Sequence, residues 1–135
     1  RPQDVRALVL LAPALGYVQR MKKRLDAQGR LRTSEGFAFP VAAHVLADAE
    51  RLDEIELPTR LTMPVLLVHG TNDEIVPHAL SERFFQAIPH ARKDFWLIEG
   101  GDHRLNREIH DILARMERLL ATHCTPWPPA GPTRS

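Results

Sequence analysis

The chain has 135 residues, 44% of them apolar, which is enough to bury one modest core and no more. Eighteen basic against seventeen acidic residues leave a formal charge of +1 that is scattered along the chain, so neither nucleic acid nor an anionic membrane is indicated as a partner. The single cysteine, Cys124, excludes an internal disulfide framework, and no apolar run is long enough for a membrane-spanning helix, so a reducing, cytoplasmic setting is expected.

Taken in chain order, the first expected element is a strand over Val5–Ala12, a short apolar run rich in branched residues. A long insert follows from Gly16 to Pro58, far more than a crossover connection needs, and it must carry its own structure. Within it Met21–Gln28 reads as a basic helical stretch ended by Gly29, Leu31–Phe39 as a small hairpin around Ser34–Gly36, and Pro40 as the opening of a helix running to about Asp53. That last helix places Val41, Val45, Leu46, Ala49 and Leu52 to one side, an apolar face expected to be buried on a sheet or over a pocket, so the insert is read as a cap or lid. Lys22, Lys23 and Arg24 are most simply a solvated face of that lid, with attraction of acidic substrates as a minor alternative.

A second strand is expected over Val65–His69 and a third over Phe95–Ile98, separated by a helix with Leu80, Phe84 and Ile88 in step. A final helix carries Leu105, Ile109, Ile112, Leu113, Met116, Leu119 and Leu120 at helical spacing. Continuous apolar strands alternating with helices predict an α/β fold with a parallel sheet covered on both faces. From Thr125 the chain is so dense in proline that helix and sheet are excluded, and residues 125–135 are expected to form a disordered tail. A parallel sheet whose first strand starts at the fifth residue would expose its inner edge, so an N-terminal half or a partner strand is expected to complete it.

The second strand runs into His69-Gly70-Thr71-Asn72-Asp73-Glu74-Ile75-Val76-Pro77 and the third into Glu99-Gly100-Gly101-Asp102-His103-Arg104-Leu105. Both loops leave carboxyl ends of parallel strands, the edge where ligands bind in open α/β sheets. Asp73 and His103 are thirty positions apart, but the helix and strand between them return the chain to the same edge, so the two side chains can meet. A buried carboxylate on the Nδ1 proton of an imidazole fixes its tautomer and leaves Nε2 free as a general base toward a hydroxyl. Each residue also has a plainer reading. Asp73 would organise its own turn, Asp102 would cap the start of the last helix near Leu105, and His69 would be a packed, hydrogen-bonded histidine. His78 is a weaker substitute for His103. Metal-ligand spacing and phosphate-cradling glycine patterns are absent, so no metal or cofactor is expected, and Gly70 and Gly100-Gly101 are read as glycines that let the backbone turn tightly beside the site.

The succession of strand, His-Gly-x-x-Asp-x-x-Val-Pro, helix, strand and Gly-Asp-His-Arg-Leu resembles the C-terminal half of the α/β-hydrolase fold, and the opening Arg1–Ala14 is similar to the strand that follows the nucleophile helix of that family. The stretch Val45–Asp53 is similar to the cap region of small bacterial hydrolases and esterases. The resemblance covers Val5 to about Leu120 and implies a serine hydrolase acting on a small-molecule ester or thioester, with Asp73 as triad acid and His103 as base. It also implies a Gly-x-Ser-x-Gly elbow, expected about 11 to 14 residues and a short loop upstream of Arg1. None of the serines, Ser34, Ser81 and Ser135, lies between glycines, and Cys124 follows the last helix, so no residue here is assigned as nucleophile. An aspartate nucleophile, as in the family's dehalogenases and epoxide hydrolases, is the alternative within the fold. From a different class, a non-catalytic α/β module would use the open sheet edge to associate with a partner chain.

Overall fold

The computed structural model describes residues 5–32, 36–50 and 56–124. Its main sheet has three strands, β1 (Leu8–Leu11), β4 (Val65–Gly70) and β5 (Lys93–Ile98), in the order β1-β4-β5 and all parallel. β4 is central and buried along its whole length. Because side chains alternate across a strand, Leu66 and Val68 enter a core with Ala12, Ile98, Leu105, Ile112 and Leu119, while Val65 and Leu67 enter a second core with Phe84 and Ile88. Helix α4 (Ile109–His123) covers the first face and α3 (His78–Ala87) the second. Each fully buried side chain of this kind contributes roughly 1.5–3 kcal/mol over its exposed state. The expected α/β class with a parallel sheet and flanking helices is the observed one.

Element ends differ from the expectation for identifiable reasons. β1 is four residues long because its pairing with β4 runs only from Leu8–Val65 to Leu11–Val68, and Ala12 then takes a positive φ of 40° that turns the chain out of the sheet. β5 begins at Lys93, two residues before the apolar run, since Lys93 and Asp94 pair with Val65 and Leu66.

The insert departs further. The helix expected over Met21–Gln28 lies instead at α1 (Tyr17–Lys22), and the chain then reverses. Asp26 explains the stop: its Oδ1 accepts the backbone N–H groups of Gln28 and Arg30, each at 2.9 Å, which offers the backbone a turn in place of the next helical bonds. The hairpin is present as β2 (Arg30–Arg32) antiparallel to β3 (Ala38–Pro40), with its tip, 33–35, outside the described residues. Pro40 does not open a helix; it pairs with Arg30 as the last residue of β3, and α2 spans Ala43–Glu50. The apolar face expected there is only partly sheltered, with Val41 and Leu46 half-buried but Val45 exposed, while Leu52 and the side chain of Ala49 lie outside the described residues. A 3₁₀ turn over Leu57–Arg60 leads back to β4. The proline-rich segment 125–135 also lies outside the described residues.

Candidate active site

β4 and β5 deliver their two loops to the same sheet edge, and hydrogen bonds lace them together. Thr71 N–H donates to the Ile98 carbonyl at 2.9 Å, Asn72 N–H to that of Gly101 at 2.9 Å, and Gly100 N–H to Thr71 Oγ1 at 2.8 Å. Gly70 serves close approach more than turning. A Cβ there would stand 2.1 Å from the Gly101 carbonyl oxygen, so only glycine lets the loops touch.

Asp73 follows three residues after the strand, and its side chain is fully buried. Its Oδ1 accepts the N–H groups of Ile75 and Val76, both at 2.8 Å, the turn-forming role anticipated for it. Its Oδ2 lies 2.8 Å from His103 Nδ1. The two roles therefore coexist on separate oxygens. Burial pushes the Asp73 carboxyl up, but the Val76 N–H, the His103 ring and the Ile75 N–H together outweigh it and hold the carboxyl below its usual value. The carboxylate form is thus favoured, as an acceptor from an imidazole must be.

His103 is held from its own loop. Asp102 Oδ1 accepts the N–H groups of Arg104 and Leu105, each at 2.9 Å, and Leu105 takes a left-handed conformation (φ 53°) while burying its side chain in the core. Asp102 does not cap the last helix as expected: it closes a turn ahead of the 3₁₀ segment Asn106–Glu108, and α4 begins after Glu108 with no side-chain cap, because that 3₁₀ segment intervenes. The His103 side chain is 34% exposed, in an open depression of about 370 Å³ lined also by Asn72, Glu74, Ile75, Gly100, Asp102 and Arg104. With Nδ1 engaged by Asp73, Nε2 is the nitrogen available to a reacting hydroxyl. A second hollow of about 390 Å³, lined by Leu15, Pro58, Leu80 and Phe84 among others, includes neither residue.

The other candidates fall elsewhere. His78 pairs with Glu82 along α3 at 3.6 Å. Ser81 is buried in α3 with Oγ 2.7 Å from His69 Nδ1, and Cys124 Sγ donates to the Arg6 carbonyl at 3.3 Å. His69 is buried and hydrogen-bonded as expected, but the sequence reading missed that its Nε2 stands 2.9 Å from Asp73 Oδ2. The only available signal was the four-residue spacing of His69 and Asp73 across a strand end, which propensity and periodicity do not interpret. Among the described residues no group of three or more His, Cys, Asp or Glu is arranged to hold a metal, and no helix is long and apolar enough to cross a membrane.

The family model described as serine aminopeptidase, S33, matches residues 41–110, just over half of the chain and the whole of the Asp73 and His103 loops. The chain belongs to this family of α/β-hydrolases. Among relatives, this α/β-hydrolase chain is 29% identical to the palmitoyl-protein thioesterase ABHD10, mitochondrial, of Mus musculus over 89% of its own length and 45% of the mouse protein. The solved structure of mouse alpha/beta hydrolase domain-containing protein 10 superposes with a TM-score of 0.74 at 28% identity, covering 90% of this chain and 54% of that one. Est1E from Butyrivibrio proteoclasticus shares the fold, with a TM-score of 0.71 at 20% identity, over 89% of this chain and 53% of its own. The α/β-hydrolase chain thus spans about half the length of the relatives it matches.

Proposed function

We propose that this chain supplies the acid and the base of a serine hydrolase that cleaves a carboxylic ester or thioester, with the nucleophile contributed by a segment outside its 135 residues. The observation that carries the reading is the 2.8 Å contact between the buried Asp73 carboxylate and His103 Nδ1 at the carboxyl edge of the sheet. In the forward half-reaction a serine hydroxyl attacks the acyl carbonyl while His103 Nε2 takes its proton. The imidazolium that forms is stabilised by Asp73, whose low carboxyl value keeps it ionised, and it returns the proton to the leaving alcohol or thiol. Water then enters and gives a proton to His103 as its oxygen attacks the acyl carbon, and His103 passes that proton to the serine oxygen as the bond to serine breaks and the acid leaves. These steps need no cofactor. The name of the mouse relative supports the thioester arm, and the small-molecule or acyl-chain substrate would meet His103 in the depression beside Asn72 and Arg104.

The test is labelling of the longer product carrying this chain by a fluorophosphonate, with and without His103→Ala. Labelling that falls on the order of 10⁶-fold in rate in the variant is the expected result. Labelling independent of His103 would remove the acid–base reading. An absence of labelling in both would favour the non-catalytic module, whose β1 edge, paired among the described residues with β4 on one side only, would take a partner strand.

A further inference from the structure

We infer that His69 is a positioning residue for the Asp73–His103 couple: its buried Nε2–H, bonded to the Val76 carbonyl, lies beside the same carboxylate oxygen that receives His103 and helps fix where that oxygen lies. The inference rests on the reading of Asp73 and His103 as acid and base.

His69 is the penultimate residue of β4 and is fully buried, so both ring nitrogens require partners. Nε2 lies 3.0 Å from the Val76 carbonyl oxygen and 2.9 Å from Asp73 Oδ2. Both neighbours only accept, so Nε2 must carry the proton. In the neutral ring Nδ1 is then the lone-pair nitrogen, and it lies 2.7 Å from Ser81 Oγ on α3, whose hydroxyl can donate to it. One neutral tautomer therefore satisfies every atom of the ring. The other would place an unprotonated nitrogen against two oxygens in a fully buried position.

Val76 closes the arrangement. Its N–H donates to Asp73 Oδ1 at 2.8 Å while its carbonyl accepts from His69. The carboxylate is thereby held at both oxygens, Oδ1 by two backbone donors and Oδ2 between two histidines at 2.8 and 2.9 Å. The His69 N–H points chiefly at Val76, so its hold on Oδ2 is electrostatic, a positive hydrogen beside a buried negative charge. It withdraws part of that charge from His103. Without it the carboxylate would stabilise the imidazolium more strongly and rotate more freely, so deprotonation of the couple would move to higher pH and turnover would fall. Glu74, Asp102 and Arg104 share the depression with His103 and stay unchanged in the variants below.

The experiment compares His69→Phe, His69→Gln and Ser81→Ala in the longer product carrying this chain, reading fluorophosphonate labelling and p-nitrophenyl butyrate hydrolysis against pH. His69→Phe is expected to displace the acid limb upward by on the order of one pH unit and lower kcat about tenfold. His69→Gln, which keeps a neutral N–H donor on a side chain of similar length, is expected to restore the limb, and Ser81→Ala, which frees the tautomer, to shift it in the same direction by less. A folded His69→Phe with the parent limb overturns the inference, as does a His69→Gln limb displaced as far as that of His69→Phe, which would assign the effect to packing. If His69→Phe fails to fold, an unchanged limb in Ser81→Ala overturns it. Labelling that survives His103→Ala instead defeats the acid–base reading itself, an outcome the His69 variants cannot mimic.

Discussion

The β4-centred body and the insert from Gly16 to Pro58 differ in how firmly their described residues are held. In the body, Val65 through Val68 are wholly buried, two cores flank them, and the loops that follow are tied by backbone bonds. In the insert, Met21, Leu31 and Pro58 are the buried residues among those described, while Tyr17, Phe37 and Phe39 are exposed, Phe37 by 69%. Asp73 and His103 sit on the body, where their geometry is over-determined by packing. A site that needs two side chains held within a fraction of an ångström belongs on such a scaffold, whereas a segment with few core contacts can vary without disturbing it.

The sharpest way to break this contrast is to alter charge within the body without altering shape. Asp73→Asn in the longer product is expected to lower turnover on the order of 10³–10⁴-fold while insert substitutions do not approach that, measured by ester hydrolysis. The same variant reads the pH linkage. Because the folded Asp73 carboxyl is depressed, its contribution to stability is present above the usual aspartate value and is lost as pH falls through the lower folded value. The stability gap between the parent and Asp73→Asn should therefore be full near neutrality and close below about pH 4, followed by urea unfolding. A gap that widened in acid would contradict it.

Next in size comes the core. Ile112→Ala, on the α4 face against β4, should cost about 2–5 kcal/mol in the same unfolding assay because it leaves a cavity that the close-packed body cannot fill. Asp102→Ala removes the acceptor for Arg104 and Leu105 N–H in that turn and should cost roughly 0.5–1.5 kcal/mol, with a larger effect on turnover than its stability loss explains, since His103 lies inside that turn. Smallest of all, Phe37→Ser should change stability by no more than about 0.5 kcal/mol. A cost comparable to Ile112→Ala would show that the insert is as firmly seated as the body.

Much of the body was legible because burial on both faces writes a plain signal: continuous apolar runs for β4, helical spacing in α4, and Gly-rich ends where strands stop. Asp73 and His103 were legible as a candidate pair because alternation of strand and helix returns both loops to one edge. The insert was misread where a single side chain overrode periodicity, as Asp26 did in ending α1 early and as the Arg30–Pro40 pairing did in drawing Pro40 into a strand. Local pattern has no access to such competition.

By itself, then, the amino-acid sequence determined the α/β class, the order of the body's elements and the residues able to meet at its edge, since these follow from period, length and chain direction. Only the tertiary structure decided that Asp73 divides its two oxygens between backbone and imidazole, that Gly70 is demanded by the approach of Gly101, and that His69 and Ser81 stand behind the Asp73 carboxylate. Those facts depend on distances between segments remote in sequence, and burial alone makes them matter: a polar group away from water must find its partner wherever the fold has placed one.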